Sequence, residues 1–340
     1  MNTSSPKATE PAGTSVIVPP PGLRERALAA CLRGMLRCSF KTMTGPPFGV
    51  GLQRTWVNFV SLSVPGRAGV TRQTSRAAGV PVEITLPESG RSTGVILYLH
   101  GGAFCLGSPL THHGITSHLA VESGMAVWTP DYRLAPEHPY PAGLDDVTAV
   151  YRHLLTVGYA PGDIVLAGDS AGATLALALA IQLRDQQQPA PGGLALISPV
   201  TDPTLQGPTI QSRSKVDPML RLAWIRQGLG WYRCPIGTAS HQPLSVSLHG
   251  LPAMLIHVGD QEMLLSDSTR LASLALQAGV DCTIEIYLER WHVFHLQSFY
   301  LRSSVLAIQS IAAFARQRLD KNTEAGKVAA VAARAQAYGQ

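Results

Sequence analysis

Residues 168–172, Gly-Asp-Ser-Ala-Gly, place a serine between two apolar segments. The run at 164–167 before it predicts a buried strand, and the Ala/Leu-rich segment 173–183 after it predicts a helix. A sharp strand-to-helix turn exposes its corner side chain, and glycines two positions to either side let the neighbouring backbones approach. Ser170 would then lie at a helix N-terminus, where a histidine can activate its hydroxyl as a nucleophile.

A second chemical element is the sequence His-Gly-Gly-Ala-Phe at 100–104, which follows another apolar run. Glycines leave backbone amides unhindered, and fixed N–H groups aimed at one point stabilise the negative charge on an attacked carbonyl oxygen. We expect this oxyanion hole to be formed by the amides of Gly101, Gly102 and Ala171. His100 is interpreted as shaping the loop and not as a base.

The acid and the base are expected after the serine, each at the end of a later strand. The apolar run at 253–258 predicts one such strand, and Asp260 and Glu262 follow it. The last predicted strand leads into a loop that carries His292 and His295. Each pair offers two candidates, and we favour Asp260 as the acid and His292 as the base.

Four ordered motifs between about residue 90 and residue 319 resemble the bacterial hormone-sensitive-lipase-like esterases of the α/β-hydrolase fold. They are HGGAF at 100–104, DYRLAPE at 131–137, GDSAG at 168–172, and GDQE at 259–262 followed by HVF at 292–294. The resemblance implies an α/β fold, with a mostly parallel central sheet, helices on both faces and a helical cap.

For activity, the resemblance implies a carboxylester hydrolase that acts on short to medium acyl chains through an acyl-enzyme. Ser170 would be the nucleophile, His292 the general base and Asp260 the carboxylate that orients it. Lactone or amide hydrolysis by the same residues is the alternative among enzymes. A ligand-binding protein on a hydrolase scaffold is the alternative outside them.

The chain departs from the family pattern at two positions. Many members follow the catalytic aspartate with Pro-Leu, whereas this chain has Gln261 and Glu262, which keeps Glu262 as a second candidate acid. Members often have glycine after the catalytic histidine, where this chain has Val293, and His295 lies nearby. The Val-Phe pair directly after His292 matches the family and favours that histidine.

Two further sets of charged residues are interpreted as structural. Asp131, Arg133 and Glu137 suggest an ion-pair cluster that braces the wall behind the serine, because losing one partner of a buried pair is costly. Asp169, inside the serine motif, is expected to accept hydrogen bonds that fix a loop.

Composition argues for one large α/β domain and against several other classes. The chain has 340 residues, of which 45% are hydrophobic and 14% charged. Its net charge is +5, but Lys and Arg are scattered, which argues against a nucleic-acid partner. The eleven histidines show no metal-ligand spacing, and serine chemistry needs neither a metal nor an organic cofactor. We expect a small-molecule ester as the partner.

Five cysteines, an odd number, predict free thiols in a reducing compartment and hence a cytoplasmic location. The N-terminus lacks the features of a secretory signal. No apolar stretch reaches the roughly 20 residues of a membrane span, so stable membrane insertion is not expected. A homodimer formed through an edge strand is compatible with the scaffold.

The domain organisation is expected to have three parts. Residues 1–50 should comprise a disordered tail and an amphipathic cap helix at 23–40. Residues 51–320 should form the catalytic domain, with antiparallel edge strands at 56–59 and 80–84. A cap insertion at about 201–235 should line an acyl pocket with these residues: Met219, Leu220, Leu222, Trp224, Ile225, Leu229 and Trp231. Residues 321–340 are expected to be a frayed tail.

Overall fold

The computed structural model describes residues 14–19, 22–89 and 93–337, and within these ranges nine strands form a single sheet. The strands are β1 (Thr14–Val18), β2 (Val70–Ala77), β3 (Val80–Pro87), β4 (Val95–Leu99), β5 (Ala126–Pro130), β6 (Ile164–Asp169), β7 (Gly193–Ile197), β8 (Met254–Gly259) and β9 (Cys282–Tyr287). Their order is β1-β9-β8-β7-β6-β4-β5-β3-β2. All neighbours pair in parallel except β2 with β3 and β3 with β5.

Helices cover both faces of this sheet. They are α1 (Leu23–Cys38), α2 (Phe40–Met43), α3 (Val50–Ser61), α4 (Pro109–Ser123), α5 (Ala142–Thr156), α6 (Ala171–Asp185), α7 (Pro208–Ser212), α8 (Leu222–Tyr232), α9 (Leu265–Gln277) and α10 (Arg302–Ala337). Alternate residues of β4 show why its sequence is apolar throughout. Val95 and Leu97 pack in the layer of α5, α6 and α9, whereas Ile96 and Tyr98 pack in the layer of α4 and α10. The predicted mostly parallel sheet between two helical layers is confirmed.

Three predictions about local structure were wrong. Residues 56–59 belong to α3 and not to an edge strand, because Val57 and Val60, at helical spacing, face a cavity beside the serine. The N-terminal segment is not all tail, since β1 pairs in parallel with β9; the disorder predicted for 1–13 lies outside the described residues. The predicted C-terminal tail is helical as far as Ala337.

The amphipathic segment predicted at 23–40 forms α1 and packs against the catalytic domain. Its buried residues Ala29, Leu32 and Leu36 share a core with Trp291 and Phe294, which flank His292 in sequence. This packing places α1 over the loop that follows β9.

Within the described ranges, none of the helices combines the length and the apolar character that a membrane crossing requires. All five cysteines are free thiols.

A buried ion pair fastens α1 to that loop. Arg290 is 1% exposed, and its guanidinium donates to Glu25 at 2.9 Å and to the Ser303 hydroxyl at 2.7 Å. The same Glu25 oxygen accepts the Ser303 amide at 2.9 Å. Arg290 lies two residues before His292. The N-terminal helix therefore helps to hold the loop that carries the candidate base.

We expect Glu25→Ala to lower the free energy of unfolding by about 3 kcal/mol, because it leaves the Arg290 cation buried without its anion. Arg26→Ala is the matched control: it removes an exposed pair with Glu289, and such pairs contribute about 0–1 kcal/mol. Urea denaturation of both variants measures the difference. Equal losses would contradict a specific role for the buried pair.

Candidate active site

Ser170 occupies the corner between β6 and α6 in a strained backbone conformation, with φ 52° and ψ −120°. Both flanking glycines are required by close packing. A Cβ at Gly172 would overlap the carbonyl oxygen of Leu99, and one at Gly168 would lie 2.7 Å from the same oxygen. The predicted strand-turn-helix geometry is confirmed, and it points the serine hydroxyl into a cavity.

The structure brings His292 to Ser170 and keeps His295 away from it. His292 Nε2 lies 3.0 Å from Ser170 Oγ, and the imidazole is buried. His295 Nε2 instead lies 3.2 Å from Nδ1 of His257, behind the site. Burial holds the pKa of His295 well below its usual value, which keeps that ring neutral. Of the two candidate bases, only His292 can take a proton from the serine.

The acid predicted from the sequence requires a correction, because Asp260 does not reach His292. The one carboxylate of the described residues within ion-pair range of His292 is Glu262, whose Oε1 lies 3.8 Å from Nδ1. Asp260 is half-buried and faces the backbone after β9. Burial raises its pKa, and hydrogen bonds from the amides of Glu289 and Arg290 partly offset this.

Glu262 is fully buried in the turn after β8, and its side chain reaches toward the imidazole. Its Oε2 accepts the Ser198 hydroxyl at 2.9 Å and the Gly259 amide at 3.3 Å. The separation of 3.8 Å between Oε1 and His292 Nδ1 is longer than a hydrogen bond, but neither atom has another partner among the described residues. The hydrogen bond from the Gly259 amide draws the Glu262 carboxylate back toward the end of the strand, whereas Asp260 accepts from the amides of Glu289 and Arg290.

Charges around His292 favour its protonated form. Burial by itself lowers the pKa of the imidazole, but the nearby carboxylate of Glu262, followed by the charges of Asp217 and Asp169, raises it above its usual value of 6.5 overall. Burial also raises the pKa of Glu262, and the neighbouring imidazole partly counteracts that effect.

A general base must be neutral, so we expect kcat/KM to fall as the pH drops through the pKa of His292 in the free enzyme. Because that pKa is raised, the midpoint of this acid limb should lie above pH 6.5. A pH profile of ester hydrolysis measures it. A flat profile between about pH 5 and 8 would contradict the role of His292.

The predicted oxyanion hole requires a second correction. The Gly101 amide donates to Asp169 Oδ1 at 3.0 Å, so it is not available to a substrate oxygen. The amides of Gly102, Ala103 and Ala171 have no acceptor among the described residues. Gly102 and Ala103 both have positive φ, of 119° and 53°, which turns the loop sharply beside the serine. Ala103 was not predicted as a donor, because only the two glycines of this loop were expected to contribute, although any residue except proline supplies a backbone N–H.

Asp169 acts as predicted, as an acceptor that fixes the loop. Besides the Gly101 amide, its Oδ1 accepts the Tyr98 hydroxyl at 2.8 Å, and it lies 3.3 Å from Nε2 of His112.

The prediction that Asp131, Arg133 and Glu137 form ion pairs with one another was wrong, because their partners lie elsewhere in the chain.

In that motif, each charged residue has a different environment. Arg133 pairs with Asp146 at 2.7 Å, and Glu137 pairs with Arg54 of α3 at 2.7 Å. Asp131 forms no ion pair with any described residue, and burial raises its pKa. Arg54 also donates to the carbonyl oxygens of residues 105 and 135, so the motif ties α3 to the oxyanion loop.

Two cavities meet at Ser170. The larger has about 870 Å³ of empty space, part of it open to solvent, and lies beside α1 to α4 and His292. The smaller has about 350 Å³ of empty space, again partly open to solvent, lies against the cap insertion and is lined by Ser170 together with Ala103, Phe104, Val200, Leu220, Trp224, Ile225, Leu229 and Leu264. Four residues predicted for an acyl pocket line the smaller cavity, and Met219 lines the larger one. The serine therefore has apolar walls on both sides.

Comparison with known proteins identifies the family to which the chain belongs. The model of a family described as alpha/beta hydrolase fold matches residues 96–296. An esterase of Acinetobacter venetianus is 39% identical over 71% of this chain and 80% of its own. An acetyl-hydrolase of Streptomyces hygroscopicus is 36% identical over 84% of this chain and 95% of its own.

Solved structures give the same result. An esterase from the bacterial hormone-sensitive lipase family is 33% identical, with a TM-score of 0.82, over 86% of this chain and 98% of its own. A structure of the protein EstE5, soaked with p-nitrophenyl butyrate, is 32% identical with a TM-score of 0.80, over the same shares of the two chains. The chain belongs to the α/β-hydrolase fold family and, within it, to the bacterial hormone-sensitive-lipase-like esterases.

Proposed function

We propose that this carboxylesterase hydrolyses its substrates through an acyl-enzyme formed on Ser170. The observation that carries the proposal is the 3.0 Å contact between His292 Nε2 and Ser170 Oγ, at a corner with apolar cavities on both sides. A serine hydroxyl is a weak nucleophile until an adjacent base removes its proton. This contact also argues against a protein that only binds ligands on a hydrolase scaffold.

The proposed reaction assigns one role to each group. His292 takes the Ser170 proton while Oγ attacks the ester carbonyl, and the buried carboxylate of Glu262 stabilises the imidazolium. The imidazolium then protonates the leaving alcohol. A water molecule, deprotonated by the same histidine, attacks the acyl-enzyme, and the imidazolium returns that proton to Ser170 Oγ as the acid is released.

The negative oxygen of the tetrahedral intermediate needs fixed hydrogen-bond donors. We propose the free amides of Gly102, Ala103 and Ala171 for this role, with Gly101 supporting the loop through Asp169. Each such donor contributes about 3 kcal/mol to stabilising the transition state.

Apolar walls support a substrate with apolar groups on both sides of the ester bond. We propose short to medium acyl chains, held in the smaller cavity against the cap, because its lining is almost wholly aliphatic and aromatic. The larger cavity would hold the alcohol portion of the ester.

Three further expectations from the sequence stay predictions: a cytoplasmic location, a homodimer and the absence of a nucleic-acid partner.

The proposal is tested with purified enzyme on p-nitrophenyl esters from acetate to laurate. A lactone and a p-nitroanilide in the same panel represent the alternative chemistry. We expect ester turnover, with kcat/KM highest for short or medium chains. Turnover of the anilide or lactone alone would move the assignment to that chemistry, and binding of esters without hydrolysis would contradict an enzyme.

A further inference from the structure

The cap insertion contains a second buried carboxylate close to the proposed acid and base. Asp217 lies between α7 and α8 and is 0% exposed. Its Oδ1 accepts the amides of Met219 and Leu220, each at 2.9 Å, and its Oδ2 accepts the amide of Met263 at 3.0 Å. Met219 and Leu220 line the two cavities, and Met263 directly follows Glu262. One side chain therefore joins the substrate cavities to the acid loop.

The cations near Asp217 do not neutralise its carboxylate. Lys41 and Arg37 donate to backbone carbonyls of residues 214–217, and Arg221 donates to carbonyls before α3. No ion pair of the described residues within 4.0 Å includes the Asp217 side chain, although the Lys41 charge acts on it from a distance. A buried carboxylate held by amides alone is costly, so a nearby group that becomes positive during the reaction would be stabilised by it.

We propose that Asp217 is a positioning residue, which fixes the Glu262 loop against the substrate cavities and whose charge stabilises the imidazolium that His292 forms during catalysis. The proposal rests on the function proposed above, in which His292 is the base. It adds a second anion, supplied by the cap, to the serine, histidine and glutamate of the reaction.

The electrostatic environment supports this arrangement. Burial raises the pKa of Asp217, and the charge of His292, followed by the three amides, counteracts the rise. In return, the charge of Asp217 helps to raise the pKa of His292. Its effect is smaller than that of Glu262 and larger than that of Asp169. The other ring that acts on His292 belongs to His295, whose pKa is held well below its usual value. The main charges that act on His292 are thus those of three carboxylates, while the His295 ring is neutral.

Asp217→Asn tests the proposal, because asparagine keeps the shape and one acceptor oxygen but loses the charge. We expect the pKa of His292, followed by NMR titration of the ring, to fall, and the acid limb of kcat/KM to move to lower pH with it. The plateau kcat should fall about tenfold, the rate equivalent of one pKa unit of lost stabilisation. An unchanged titration of His292 would overturn the proposal.

Asp267→Asn is the matched control. Asp267 is also fully buried and also anchors the cap insertion, since its Oδ2 accepts the amides of Thr201 at 2.9 Å and Asp202 at 3.0 Å. It is not among the main charges that shift the pKa of His292, which are those of Glu262, Asp217 and Asp169. We expect this variant to lose stability without a change in the pKa of His292. An equal shift in both variants would show a structural effect of the cap and overturn the proposal.

If Asp217→Asn does not fold, the Glu262→Gln variant provides the test. With Glu262 neutral, Asp217 is the strongest remaining charge on His292, so the ring should still titrate well above His295, which serves as the internal reference. A His292 pKa as low as that of His295 would overturn the proposal. The titration needs no turnover, so its outcome is distinguishable from a failure of the proposed ester hydrolysis.

Discussion

Replacing Ser170 with alanine is expected to lower kcat for p-nitrophenyl butyrate by about 10⁶-fold, because the acyl-enzyme can no longer form. The KM should change little, since the cavities that bind the substrate remain. Steady-state kinetics on wild type and variant measure the loss. Folding should be retained, because alanine keeps the Cβ that the corner already accommodates.

The control for this variant is Ser212→Ala, which removes an exposed hydroxyl of α7 whose one partner in the described part of the chain is the Pro208 carbonyl of the same helix. We expect it to hydrolyse the ester like wild type. Turnover by Ser170→Ala at a rate comparable to the control would remove the serine from the mechanism.

The second prediction with a large effect on kcat distinguishes Glu262 from Asp260, the two acidic residues that follow β8. We expect Glu262→Gln to lower kcat by about 10⁴-fold, because an amide beside Nδ1 favours the wrong tautomer of His292 and no longer stabilises its imidazolium. Glutamine can still accept the Ser198 and Gly259 hydrogen bonds, so the loop should keep its shape. Steady-state kcat and KM for the same ester measure the effect.

Asp260→Asn is the matched variant on the same loop. Its carboxylate accepts from the backbone amides of Glu289 and Arg290 and forms no ion pair with His292, so we expect less than about a threefold change in kcat, as for a residue outside the reaction. A larger loss in Asp260→Asn than in Glu262→Gln would restore the assignment made from the sequence.

Local patterns predicted most of the framework. The alternation of apolar runs with helical segments predicted the parallel sheet, since runs such as β4 and β6 are buried on both faces. The spacing of Gly168, Ser170 and Gly172 predicted the corner, because steric fit there depends on a few adjacent residues. The order of serine and histidine along the chain then led to His292.

The errors arose where the outcome depends on how the chain turns after a strand. Asp260 and Glu262 are both acidic and close together, and only the turn after Gly259 decides which one faces His292. The Gly101 amide was misassigned because its acceptor, Asp169, is distant in sequence. One feature of the sequence did indicate that the acid lies two residues later, at Glu262. The Pro-Leu pair that usually follows the catalytic aspartate is absent from this chain.

Contacts between the N-terminal helices, the cap and the catalytic loops lay beyond sequence reasoning. The Glu25–Arg290 pair and the contact of Asp217 with the Met263 amide join segments that are far apart in sequence. A buried charge is rare, and nothing in its immediate neighbours indicates which distant group it meets. These contacts hold both the proposed acid and the proposed base, so the cap contributes to the site as well as to the substrate cavities.

The central claim is that Ser170 is the nucleophile, activated by His292. Labelling with a p-nitrophenyl phosphonate tests it most directly, since the reagent releases p-nitrophenol only when a nucleophile attacks the phosphorus. We predict one equivalent of p-nitrophenol per chain, loss of esterase activity in step with its release, and the phosphonyl mass on the peptide that contains Ser170. Complete inactivation with the mass on a different residue, or full activity after stoichiometric labelling of Ser170, would contradict the account.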